Sequence, residues 1–116
     1  MTDVRTITSD DLQQRLNHGG NLEFWNVQTD KWFNGEMIPG SRRMPLDTIE
    51  HDTVGIPKNA EIIAYCGGPQ CPQSTQAAQK LGELGYTNVR TFKEGLEGWK
   101  AGGHATDKLQ DPVPAA

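Results

Sequence analysis

The stretch that most constrains the fold is a short apolar run with an abrupt end. Ile62, Ile63, Ala64 and Tyr65 are continuously apolar, as in a buried strand. Cys66 closes the run, and Gly67, Gly68 and Pro69 break it at once. Pro72 suits the first position of a helix. Ala77, Ala78, Leu81 and Leu84 then keep helical spacing until Gly85 ends the pattern. The segment therefore reads strand, Gly-rich loop, helix, with a thiol at the junction.

The rest of the chain repeats that alternation. Arg5 to Thr8 suits a short strand. Thr8 or Ser9 can cap a helix opened by Asp10 and Asp11, acids well placed at its positive end. Leu12 and Leu16 form its apolar stripe, and His18-Gly19-Gly20 ends it. Leu22 to Val27 reads as a strand, Gln28 to Glu36 as a short helix or loop, and Ile38-Pro39-Gly40 as a turn. A short strand over Ser41 to Met44, a helical turn over Leu46 to Ile49 and a loop from Asp52 to Asn59 precede the central run. Asn88 to Phe92 and Leu96 to Ala101 follow it as strand and helix, closed by Gly102-Gly103. Such alternation implies an α/β layer with a mostly parallel sheet, in which ligands gather beyond the carboxyl ends of the strands. Cys66 lies at that end of the most apolar strand.

With 116 residues the expectation is one domain, over residues 1–104. Ala105 to Ala116, with two prolines and little apolar content, is expected to be a flexible tail. Formal charge is −4, and no basic stripe is present to neutralise phosphates, which argues against nucleic acid and anionic membrane as partners. No run approaches the roughly 20 apolar residues of a membrane span. Met1 to Ser9 lacks the apolar core of a secretory signal. The expected location is the cytoplasm, where both cysteines rest as thiols.

The loop has a chemical logic. Backbone N–H groups of a Gly-rich turn can converge on the sulfur, and a helix N-terminus adds partial positive charge. Both favour thiolate, the nucleophilic form, and would equally hold an anionic persulfide. Pro69 and Pro72 have no N–H to offer, leaving Gly67, Gly68, Gln70, Cys71, Gln73 and Ser74 as the candidate substrate-binding loop. No Lys or Arg lies between Cys66 and Ser74. Arg42 and Arg43, on a neighbouring strand end, are the candidate anion contacts.

The motifs together resemble the single-domain rhodanese-like sulfurtransferase family. Those carrying the resemblance are Tyr65-Cys66, Ser74, Ala77-Ala78, Leu81, Leu84-Gly85-Tyr86, Asn88-Val89, and Glu94-Gly95-Leu96 with Trp99 and Gly102, preceded by Ile38-Pro39-Gly40-Ser41 and Pro45-Leu46. The match as a whole runs from about Leu22 to Gly103. The resemblance implies a three-layer α/β/α fold around a central, mostly parallel five-stranded sheet. It also implies that Cys66 is the catalytic nucleophile, carrying a sulfane sulfur from a donor such as thiosulfate to a thiol or cyanide acceptor, with no metal or organic cofactor. The chain departs from the family pattern where Asp-Val-Arg is often found and this sequence has Asn26-Val27-Gln28. Glu36-Met37 stands where a Gly-His pair often precedes Ile-Pro-Gly. The loop from Cys66 to Ser74 looks about two residues longer than the usual sulfurtransferase loop.

Alternatives stay open at this level. The chain could be a non-catalytic rhodanese-like binding or regulatory module, or a dithiol redox protein using Cys66 and Cys71. Cys71 itself fits a resolving thiol or a packed residue at the helix start; zinc is disfavoured for want of further ligands. His18, His51 and His104 fall in no motif and are read as surface residues. Trp25 and Trp99 are read as packing, while Trp32 and Phe33 are placed at a pocket mouth. Oligomeric state is not legible.

Overall fold

A computed structural model describes residues 5–108. The elements in chain order are β1 (Arg5–Thr6), α1 (Ser9–His18), β2 (Glu23–Asn26), β3 (Glu36–Met37), β4 (Arg42–Arg43), a 3-10 turn (Leu46–Thr48), α2 (Ile49–Asp52), β5 (Ile62–Tyr65), α3 (Gln73–Glu83), β6 (Val89–Phe92), α4 (Gly95–Ala101) and β7 (Asp107–Lys108). Five strands form one parallel sheet in the order β1-β6-β5-β2-β4. The apolar run sits in its centre, with Ile63 opposite Phe24 on one side and Arg90 on the other.

Alternation along β5 divides the core in two. Ile62, Ala64 and Cys66 join Trp25, Val27, Ile49, Ala77 and Leu81 on the face covered by α2 and α3. Ile63 and Tyr65 join Leu12, Phe24, Phe92, Leu96 and Trp99 on the face covered by α1 and α4. Period-two side-chain placement thus produces the three-layer α/β/α architecture, and sends Cys66 to the α3 side.

Local chemistry sets the element ends. Thr8 caps α1, its hydroxyl accepting from the Asp11 amide at 3.2 Å. The Ile38-Pro39-Gly40-Ser41 turn closes with Ser41 N–H on the Ile38 carbonyl at 3.1 Å. Its third residue has φ +88°, which glycine adopts without strain. The buried Tyr65 hydroxyl ties this turn to the central strand, accepting from the Ile38 amide at 2.9 Å and lying 2.7 Å from Ser41 Oγ. At the opposite end of the sheet, Glu61 receives Arg15 at 2.8 Å and Arg90 at 2.6 Å.

Element bounds read from sequence differ from the structure at several points, Glu36 among them, which opens β3 rather than closing a helix or loop. Asp52 ends α2 rather than opening a loop. α3 begins at Gln73, with Pro72 one position earlier, as its cap. The first four residues of the segment expected as a tail, 105–108, make contacts with the body. Trp99 Nε1 donates to the Ala105 carbonyl at 2.8 Å, Thr106 Oγ1 donates to Glu36 Oε2 at 2.6 Å, and β7 pairs antiparallel with β3. Two-residue strands carry no periodicity to read, and the contacts that order them span about seventy residues of chain. The remainder of that expected tail lies outside the described residues. No described helix is long and apolar enough to cross a membrane.

Leu81 is fully buried between α3 and the sheet. Leu81→Ala is expected to cost about 2–5 kcal/mol in unfolding free energy, from lost transfer energy and the cavity left behind. Urea titration followed by circular dichroism measures it.

Candidate active site

Connections leave β5 and β2 in opposite directions across the sheet, towards β6 and β4 respectively. Their carboxyl ends therefore flank a switch-point crevice. Val27 and Gln28 leave β2 on one side of it; Cys66 and Gly67 leave β5 on the other. A cleft of about 680 Å³ opens there. Gly67, Gly68, Gln70, Cys71 and Gln73 all line it, so five of the six loop residues singled out from sequence meet at one surface. Ser74, the sixth, is buried behind the sulfur instead.

Cys66 lies beneath this cleft rather than in it. Its exposure is 1%, and its thiol donates to the Cys71 carbonyl at 3.4 Å. Pro69 occupies the second position of a turn closed by Cys71 N–H on the Gly68 carbonyl at 3.0 Å. That turn takes the Cys71 amide out of any cradle and leaves its carbonyl facing the sulfur. Burial pushes the Cys66 thiol pKa up, and the neighbouring Cys71 side chain adds to the rise. The amide and hydroxyl of Ser74 act in the opposite sense without offsetting it. Ser74 Oγ is buried and has no partner of standard hydrogen-bond geometry among the described residues, which leaves it available to the sulfur. The thiolate-favouring cradle anticipated from the Gly-rich loop is thus not the resting arrangement: the sulfur lies against a carbonyl, and burial favours the thiol over the thiolate.

Neither candidate anion contact lines the cleft. Arg42 is exposed on the edge strand β4. Arg43 Nη1 donates to the Gln28 carbonyl at 2.6 Å, to Asn26 Oδ1 at 3.1 Å and to the Asn26 carbonyl at 3.3 Å. Its Nη2 pairs with Asp30 at 2.8 Å, and the guanidinium stacks over Phe33 at 3.9 Å. Arg43 therefore braces the segment after β2, and Phe33 serves as its platform. Trp32 does reach the cleft mouth, 63% exposed.

Sequence reasoning missed Gln28, Gln76 and Glu97 as lining residues. Gln28 is buried, accepting from Asn26 Nδ2 at 3.1 Å and donating to the Trp32 carbonyl at 3.3 Å. It had been noted only as a departure from the family pattern. Gln73 latches the start of α3 to the same segment, through Thr29 Oγ1 at 3.1 Å and the Thr29 amide at 3.2 Å. Glu97 comes from α4, whose first turn docks on the loop. Leu96 N–H donates to the Cys66 carbonyl at 2.9 Å, and Glu97 N–H to the Gly67 carbonyl at 2.8 Å. Gly95 makes that approach possible: its φ is +64°, and a Cβ there would lie 2.6 Å from the Cys66 carbonyl oxygen and 2.7 Å from the Gly68 nitrogen. Among the described residues, no group of three or more His, Cys, Asp and Glu side chains is arranged to hold a metal ion.

Residues 8–102 match the family model described as the rhodanese-like domain. The chain belongs to the rhodanese-like family. A curated relative named sulfurtransferase, from Allochromatium vinosum, is 28% identical over 96 residues, covering 83% of this chain and 88% of that one. A crystal structure of a Bacillus halodurans protein superposes with TM-score 0.80 at 26% identity, over 90% of this chain and 77% of the other. The rhodanese-like domain of an Anabaena protein, solved by NMR, gives TM-score 0.78 at 25% identity, over 98% and 89%.

Two outcomes follow. Gly95→Ala is expected to destabilise the fold by roughly 2–5 kcal/mol, from left-handed strain plus overpacking, and to speed Cys66 alkylation by loosening the loop. In a Cys71→Ser background, iodoacetamide alkylation of Cys66 is expected to titrate with a midpoint above the ordinary thiol value of about 8.5. Ser74→Ala is expected to raise that midpoint further, since it removes a group that favours the thiolate. A midpoint below the ordinary value would contradict the buried, proton-holding site described above.

Proposed function

We propose that this protein is a sulfurtransferase in which Cys66 carries a sulfane sulfur as a persulfide. The observation that carries the reading is the position of Cys66: directly after the central parallel strand, at the switch point, under a cleft walled by its own loop. Family membership and the sulfurtransferase name of the curated relative support it.

The chemistry is double displacement through a covalent intermediate. With thiosulfate as donor, the Cys66 thiolate attacks the outer sulfur. A new S–S bond forms, the donor's S–S bond breaks, and sulfite leaves with the bonding electron pair. The persulfide is then attacked at its outer sulfur by a thiolate or by cyanide, which departs as a persulfide or as thiocyanate and returns the Cys66 thiolate. Neither step needs an external oxidant or reductant. Ser74, at the start of α3, is the group placed to favour negative charge on the inner sulfur. The thiol is covered at rest, so the arc from Gly68 to Pro72 has to move aside for a donor to enter. A reducing, cytoplasmic setting suits the two free thiols.

One observation favours a second reading. A covered thiol held protonated against a carbonyl also suits a rhodanese-like module that binds without turning over. Intact mass measurement after incubation with thiosulfate, and separately with sodium polysulfide, separates the two. The transferase reading expects a gain of one sulfur atom on the wild type, lost in Cys66→Ser and discharged by added thiol. No adduct from either donor, or an adduct that survives Cys66→Ser, would overturn it in favour of the binding module.

A further inference from the structure

We infer that the cleft selects its thiol acceptor by charge, preferring one with an ammonium group close to the thiol, and that Glu97 sets this preference. The inference rests on the sulfur-transfer reading and deepens it. Four of the cleft's lining residues are glutamines, and Glu97 is the one charged residue among them. An adjoining hollow of about 510 Å³ shares Gln28, Gly67 and Glu97, and adds Glu36 and Lys100. Those two pair with each other at 3.0 Å. Their charges cancel, so the combined surface keeps the single negative charge of Glu97.

Backbone, not a flexible stem alone, sets the position of that charge. The Glu97 amide is bonded to the loop at Gly67, one residue beyond the nucleophile, and the preceding amide is bonded to Cys66 itself. The side chain lies over the loop: a Cβ on Gly68 would come within 3.2 Å of Glu97 Cβ and 3.4 Å of Oε1. The carboxylate makes no hydrogen bond or ion pair among the described residues, so its field is not offset by a bound cation. The nearby cations act elsewhere. Arg43 is held by Asn26, Gln28 and Asp30. Lys31 lies over the Trp32 ring at 5.6 Å, outside the lining residues. A thiol carrying a carboxylate would meet Glu97 as a like charge; one carrying an ammonium would meet it as a partner, with glutamine amides and the exposed Trp32 beside it.

The transfer is R–SH plus Cys66–S–SH giving R–S–SH plus Cys66–SH, so the acceptor's substituent charge is unchanged throughout and acts only through binding and approach. The test uses cysteamine, 2-mercaptoethanol and mercaptoacetate, which match in size and differ in charge. Full-length protein is loaded with sodium polysulfide, the persulfide is verified by intact mass, and discharge rates are normalised to thiolate concentration. In Glu97→Gln, the cysteamine-to-mercaptoacetate rate ratio is expected to fall about tenfold at low salt, and added salt is expected to shrink the difference. Glu97→Lys is expected to move the ratio further the same way. The uncharged 2-mercaptoethanol divides out any general loss of rate, and the variant ratio cancels intrinsic thiol reactivity. A persulfide that loads and discharges with the same ratio in wild type, Glu97→Gln and Glu97→Lys would overturn the inference while leaving sulfur transfer intact. Absence of the persulfide mass in the wild type would instead remove the transfer reading, and this inference with it.

Discussion

Two backbone hydrogen bonds organise this molecule's candidate site: Leu96 N–H to the Cys66 carbonyl and Glu97 N–H to the Gly67 carbonyl. They join the end of the central strand to the first turn of α4. A helix's first amides have no partner within the helix, and the loop's first carbonyls leave the sheet ladder at the same level, so each set satisfies the other. Because a trans peptide points its N–H opposite its C=O, fixing both carbonyls on α4 turns the Gly67 and Gly68 amides away from that helix. The loop's course is decided within two residues of the nucleophile. The contact also brings Glu97, a residue about thirty positions downstream, to the wall of the cleft. All of this depends on Gly95 having no side chain, since backbone atoms occupy the space a Cβ would need.

The β5–loop–α3 unit was legible because its signals are local and agree with one another. Ile62 to Tyr65 mark the strand by composition, Gly67 to Pro69 stop it, and Ala77, Ala78 and Leu81 show the helical face that covers it. The α/β class and parallel sheet followed from the alternation of such units, and family resemblance supplied the layer count. The burial of Cys66 was only half legible. Its place at a strand end is a matter of chain order; which way the Cys71 carbonyl points is a matter of a turn that no residue type announces alone.

Residues that act through distant partners were the ones missed or misread. Arg43 looked like a free cation near a strand end, but Asn26 and Gln28 offer it three oxygens and Asp30 a carboxylate. Those same positions depart from the family's common Asp-Val-Arg, and in this chain an amide pair joined by Asn26 Nδ2 to Gln28 Oε1 fills the place. The buried end of β2 is thereby neutral in its own side chains, and the cation that braces it comes from the neighbouring strand. Glu36 and Thr106, which hold the C-terminal segment to the body, are seventy residues apart, beyond the reach of any local pattern.

The buried thiol raises a question of chemistry that the same geometry answers. Two influences favour the protonated thiol: desolvation, to which the core residues of β2 and α3 contribute, and Cys71, which belongs to the arc over the sulfur. Ser74, which acts in the opposite sense, belongs to α3 and is anchored by the helix rather than by the arc. On the sulfur-transfer reading, movement of Gly68 to Pro72 away from the sulfur would withdraw the Cys71 carbonyl that the thiol meets at rest. On that reading access and nucleophilicity would be linked, since a displacement that admits a reactant would also reduce the desolvation that disfavours the thiolate. On the sulfur-transfer reading the same cover would shield a persulfide between the two displacements. The mild, nearly neutral lining of the cleft then leaves discrimination among reactants to the one carboxylate that α4 holds at its wall.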